Sequence, residues 1–145
     1  MKILDQIVPI QVYSNVLKAM INLQAYQTDE PGNYVIAHNS LKSYMLENMA
    51  RALTAKQLPI KVAYAPIETA LSHSIVSCTI SMGNYEVTET GEACVATLET
   101  PIAKNYPYLE AEMRAFDRAA ISFLQLNING KRVYTDEELS ASVRE

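Results

Sequence analysis

Apolar and polar residues change period several times along this chain, and the changes mark its elements. The plainest stretch is Pro107 to Leu126, PYLEAEMRAFDRAAISFLQL. There Leu109, Met113, Phe116, Ala120 and Phe123 or Leu124 recur at the three-and-four spacing of one helical face, and Ala111, Ala115 and Ala119 form a small-residue seam beside them. Pro107 suits a first helical turn, and Glu110 and Glu112 lie near the positive end of the macrodipole. The other side carries Glu110, Arg114 and Arg118 at four-residue intervals, with Asp117 and Gln125 beside them, and reads as an exposed stripe.

Upstream, Ile7 to Tyr13 is extended, and Ser14 is placed to cap a helix running to about Ala25 with Leu17, Ile21 and Leu23 inward. TDEPGN, from Thr28 to Asn33, is a turn by composition, and Tyr34 to Ala37 reads equally as a brief strand or a loop. Asn39 or Ser40 opens a second helix through about Ala55, with Leu41, Tyr44, Met45, Met49, Ala52 and Leu53 at helical spacing. After Pro59 the period becomes two. Ile60 to Ala65 alternates as a half-buried strand, and Ser74 to Met82 alternates again. Gly83-Asn84 supplies a tight hairpin turn, and Tyr85 to Leu98 is the returning strand, in which Gly91 signals a bulge or a close backbone approach. After the long helix come a turn at Asn127 to Gly130 and the basic segment Lys131 to Tyr134. Thr135 with Glu138 three residues later then matches a capping box opening a short C-terminal helix.

The predicted fold is α+β: an antiparallel sheet with a long hairpin packed against a long helix. The 145 residues form one domain, with residues 1–38 as an N-terminal helix and turn, 39–126 as helix, sheet and main helix, and 127–145 as a basic turn and short helix. Cys78 and Cys94 sit in apolar, strand-like runs without CxxC spacing and read as core residues of a reducing compartment. With His38 and His73 they match no zinc pattern, and no metal or cofactor is expected. The first residues lack a signal-peptide core and no stretch is long enough to span a bilayer, so the expectation is a cytoplasmic protein without a membrane partner.

Only four glycines are present, and no phosphate-cradling loop, GxSxG elbow or HExxH helix occurs. His38 and His73 read as structural or surface groups, and the acids of Tyr85 to Glu99 as the wet face of a strand. The formal charge of −4 argues mildly against unaided binding to polyanions. Nine tyrosines and no tryptophan make Tyr64, Tyr85, Tyr106, Tyr108 and Tyr134 candidates for base stacking, although half-buried strand surfaces use tyrosine too.

Gly91-Glu92-Ala93 on a strand, followed by Ala111-Glu112-Met113-Arg114-Ala115-Phe116-Asp117-Arg118-Ala119-Ala120 on a helix, resembles the single-strand annealing proteins of the Rad-fifty-two type. The likeness is greatest to small phage and mobile-element members and covers about Asn39 to Glu138. It implies a Rad-fifty-two-like annealing core, subunits joined edge to edge as a homo-oligomeric ring or filament, and single-stranded DNA bound along a basic groove without enzymatic turnover. Carried over, Arg114 and Arg118 would meet phosphates, with Lys104, Lys131 and Arg132 from the flanking segments beside them. Two other readings stand beside it. One is an acidic structural or regulatory oligomer whose arginines pair with Glu110, Glu112 or Asp117 across subunits. The other is a small hotdog-type acyl-thioester enzyme with Glu110 or Glu112 at the helix start.

Overall fold

The computed structural model describes residues 2–70, 72–94 and 107–139. The chain begins with β1 (Ile3–Ser14) and β2 (Ala19–Thr28), followed by β3 (Tyr34–Ile36) and α1 (His38–Thr54). A three-strand run follows, β4 (Ile60–Thr69), β5 (His73–Met82) and β6 (Tyr85–Cys94). Helix α2 (Pro107–Leu124), the short strands β7 (Leu126–Ile128) and β8 (Lys131–Arg132), and the one-turn helix α3 (Asp136–Leu139) complete it. The α+β class with antiparallel sheets and a helix packed on them is thus the observed one.

Where a helix was expected from Ser14 to Ala25, the chain forms the antiparallel β1–β2 hairpin. Leu17 and Ile21 mimic helical spacing, but Ile21, Leu23 and Ala25 are buried while Met20, Asn22 and Gln24 are exposed, which is period two. Lys18 takes φ 55° in the turn, and Ser14 bonds that turn instead of capping a helix: its hydroxyl accepts the Leu17 N–H at 3.1 Å and donates to the Leu124 carbonyl at 2.6 Å.

The first and last parts of the chain share one sheet, ordered β3-β2-β1-β7-β8, with Tyr13 opposite Asn127 and Ser14 opposite Leu126. The chain segments 3–36 and 126–132 are therefore joined in one sheet. The segment after β8 returns to β3: Ile36 makes a parallel bridge with Thr135, and its N–H donates to the Tyr134 carbonyl at 2.8 Å. One bridge thus brings the segment after β8 back to β3, and the five-stranded sheet curls into a partly open barrel.

Strands β4-β5-β6 form a second, antiparallel sheet. The Gly83-Asn84 turn joins β5 and β6 with Met82 opposite Tyr85, as the sequence predicts. Helix α2 lies over β5 and β6 and also contributes Phe116, Ile121 and Leu124 to a core shared with Val12 and Leu23 of the barrel and Leu41 and Met45 of α1. The helix is buried nearly all round, between sheets of three and five strands rather than wrapped by one, as the hotdog reading requires.

What lets α2 lie so close is the alanine seam. Ala111, Ala115 and Ala119 are fully buried, and β6 meets them with Gly91. A Cβ at Gly91 would overlap the Ala111 carbonyl oxygen and the Ala115 backbone, so its role is close approach, one of the two the sequence offers. Gly91→Ala has only backbone to push against and is expected to destabilise the fold by about 3 kcal/mol, read from the urea midpoint. An unchanged midpoint would show that helix and strand are not in contact there.

Candidate nucleic-acid interface

Two arginines leave α2 on the side of β6 opposite β5, where β6 has no strand neighbour among the described residues. Arg118 donates from one terminal nitrogen to the Thr90 carbonyl at 2.8 Å, and Arg114 to the Glu92 carbonyl at 2.7 Å. These carbonyls are two residues apart, so the guanidinium groups act as substitutes for a missing strand. Arg114 also donates Nε–H to the Glu137 carbonyl at 2.9 Å, and only 4% of the residue is exposed. Burial lowers its pKa, opposed by the charges of Glu110 and Glu137. The expected exposed stripe is therefore not one: Arg114 is a buried tie between α2, β6 and α3, out of reach of a phosphate, and Asp117 is fully buried.

Asp117 accepts from His38 Nδ1 and from the Thr135 hydroxyl, both at 2.6 Å. His38 is the first residue of α1, and its backbone N–H donates to the Asp136 carboxylate at 2.8 Å. Asp136 thus satisfies an N-terminal amide of α1 from the far end of the chain, work expected of Asn39 or Ser40. Ser40 instead accepts the Gln24 N–H at 2.8 Å.

The capping box forms as the sequence predicts. The Thr135 N–H donates to Glu138 at 3.2 Å, and the Glu138 N–H to the Thr135 hydroxyl at 3.3 Å. Through Glu138 the box reaches the surface cations. Its Oε2 lies 3.0 Å from Arg132 and 3.5 Å from Nε of Arg118, and its side chain is 3% exposed, against 38% and 36% for the arginines. Burial raises the pKa of Glu138, and the Arg132 charge opposes that rise. One buried carboxylate therefore holds two half-exposed guanidinium groups, and Lys131 stands exposed next to Arg132. Of the five expected cations the structure brings Arg118 and Arg132 together at Glu138, leaves Lys131 exposed beside Arg132 on β8 and withdraws Arg114, while Lys104 lies outside the described residues.

The tyrosine candidates separate likewise. Tyr85 donates its hydroxyl to the Phe123 carbonyl at 2.7 Å and packs on the Phe123 ring. Tyr108 packs against the buried cluster of Val76, Ala93 and Ala111, Tyr64 is exposed on β4, and Tyr106 lies outside the described residues. Tyr134 is 45% exposed, with the Arg132 guanidinium 4.5 Å from its ring centre. The acids of β6 are not all on its wet face, since Glu89 points to the helix and accepts from Ser122 at 2.9 Å. On the opposite face His73 lies 3.3 Å from Glu68 and 3.2 Å from Glu92, and these carboxylates raise its pKa, the bond to Glu92 foremost.

A cleft of about 340 Å³ opens where the barrel seam stays unzipped, between β3 and β8. Tyr34 and Val35 line one side, and Lys131, Arg132, Val133 and Tyr134 the other. Sequence reasoning missed Tyr34 because the signal is the parallel return of residues 133–135 to β3, which no local pattern encodes. Among the described residues, no group of three His, Cys, Asp or Glu side chains is placed to hold a metal ion, and no helix is long and apolar enough to cross a membrane.

No family model, curated protein or solved structure matches this chain.

Two outcomes test the scaffold of the interface. Asp117→Ala strands the buried His38 and Thr135 donors and is expected to cost about 3 kcal/mol in chemical denaturation. Wild-type stability in that variant would mean that the buried cluster does not hold the segments together. Glu137 is pushed up to about 8, by burial first and then by the hydrogen bond and charge of Glu110. A pKa raised on folding contributes stability below the unfolded value, ordinarily 4.5, and that contribution is lost as pH rises through about 8. The denaturation midpoint should fall over that window, and Glu137→Gln should flatten the fall. Identical pH profiles for the two proteins would refute the assignment.

Proposed function

We propose that this chain is a non-enzymatic single-stranded DNA-binding and strand-annealing protein of phage or mobile-element recombination, working without a cofactor as a cytoplasmic homo-oligomer. The observation that carries the reading is the pair of half-exposed guanidinium groups, Arg118 and Arg132, held by the buried carboxylate of Glu138, with the exposed Lys131 adjacent to Arg132 in sequence. Two guanidinium groups against the one carboxylate that holds them leave a local positive surplus on an otherwise acidic chain, and a fixed guanidinium pair meets phosphate oxygens without reordering.

The mechanism is electrostatic. Cations hold the backbone and reduce repulsion between two strands, and the bases remain free to search for complements. The three-strand sheet with α2 lying on it supports the reading, and the Rad-fifty-two-like annealing core is part of this proposal. A partly open five-stranded barrel is also a scaffold on which other proteins bind oligonucleotides, although a fold by itself assigns no function.

One observation favours the second reading, an acidic structural or regulatory oligomer. Arg118 and Arg132 already have a carboxylate partner within the chain, so their charges are balanced in part before any ligand arrives.

Fluorescence anisotropy of a labelled single-stranded oligonucleotide across a salt series separates the two. The annealing reading expects affinity to fall steeply with salt, the log–log slope losing about 0.7 for each phosphate contact removed. Lys131→Ala, at an exposed position, should lower that slope with the fold intact, and Arg118→Ala/Arg132→Ala should abolish binding at moderate salt. A folded protein that binds no strand at low salt would leave the oligomer reading in possession.

A further inference from the structure

The seam cleft is more than a gap beside the cations. β3 and the segment after β8 meet through Ile36, Tyr134 and Thr135, and the space beyond that meeting is lined on both sides by tyrosine. Tyr34 is half-buried on the core, so its ring is held by packing, and Tyr134 is steadied by the Arg132 guanidinium against it. Val35 and Val133 are both buried and give the space an apolar lining. Polar groups divide between the two lips. Asn33 lies on the β3 side and donates its amide to Glu30 at 2.7 Å, whereas Lys131 and Arg132 stand on the β8 side. The cleft therefore has an apolar, aromatic interior, a cationic lip on the β8 side and an amide on the β3 side.

From this we infer that the cleft takes one unstacked base of a bound single strand, with the adjoining phosphates on Lys131 and Arg132. The inference rests on the strand-binding reading and adds to it a base-holding subsite. A volume of about 340 Å³ lies at the small end of ligand sites and suits a single nucleotide unit rather than a length of strand. Aromatic side chains beside an apolar lining favour the face of a base without reading its identity, since every base has a π-face. Cations line only the β8 lip, so the backbone enters and leaves on that side. Neighbouring bases stay outside, available to a complementary strand.

The test compares two labelled strands of equal length, one natural and one a sugar-phosphate backbone without bases, titrated at low salt with the full chain. The natural strand should bind about tenfold more tightly. That advantage should disappear in Tyr134→Leu, an exposed position, and in Tyr34→Leu, while both variants bind the base-free strand as the wild type does. Equal affinity of the wild type for both strands, or an advantage that survives both substitutions, overturns the subsite and leaves the cationic interface standing. Failure of both strands to bind overturns both the subsite and the strand-binding reading.

Discussion

The fold depends on one buried carboxylate. Asp117 sits in the middle of α2 with no exposed surface and is bonded to a histidine that begins α1 and a threonine that begins α3. Burying such a group is unfavourable unless its lone pairs are matched, and here each oxygen has a short bond from a different segment. Because Thr135 also bridges to Ile36, the same point closes the barrel seam. A displacement at Asp117 would reach the helix start, the seam and the surface cations together, since Glu138 is aligned by the Thr135 box that Asp117 anchors.

The second constraint is the free side of β6. An exposed strand edge invites pairing with another chain, and proteins cover such edges with charge or irregular structure. Arg114 and Arg118 do this by donating to successive outward carbonyls, with α3 packed alongside. The other margin of that sheet is β4, which has Pro66 and a register shift at Pro66/Glu68. Proline and bulges are further ways of discouraging edge addition. The two margins are thus protected by different means, one by side chains from within the fold and the other by the strand's own sequence.

Much of this was legible locally. The Gly83-Asn84 hairpin, the tight approach at Gly91, α1, α2 and the Thr135–Glu138 box are all set by residues within a few positions of each other, where turn chemistry and periodicity act directly. The failures share a cause of the opposite kind. Ser14 looks like a helix cap because nothing local reveals that its hydroxyl will meet Leu124, and the alternation of Ile21, Leu23 and Ala25 prevails only once β1 is there to pair with. Arg114 and Asp117 look exposed because charged groups on a helix usually are, but a helix sandwiched between two sheets has little outer face. Their partners, Glu92, Glu137, His38 and Thr135, are brought in by topology. The candidate site was legible in part: Arg118, Lys131 and Arg132 came only through the resemblance, whereas Tyr34 can be added only when the strands are seen to converge.

That distinction also changes how the acidic formal charge should be weighed. Net charge counts every carboxylate alike, yet Asp117 and Glu138 are buried in bonds to their own partners, and Glu89 faces inward to Ser122. Burial, with the hydrogen bond and charge of Glu110, pushes the pKa of Glu137 up and favours its neutral form. What an approaching polyanion meets is the exposed remainder, and near the seam that remainder includes Arg118, Lys131 and Arg132. Glu138 orients Arg118 and Arg132 while balancing part of their charge, whereas exposed acids elsewhere are screened by water within roughly 10 Å, so the surplus left near the seam is a local one. A chain of negative total charge can therefore present a positive site, provided that its acids lie beneath the surface and its bases on it.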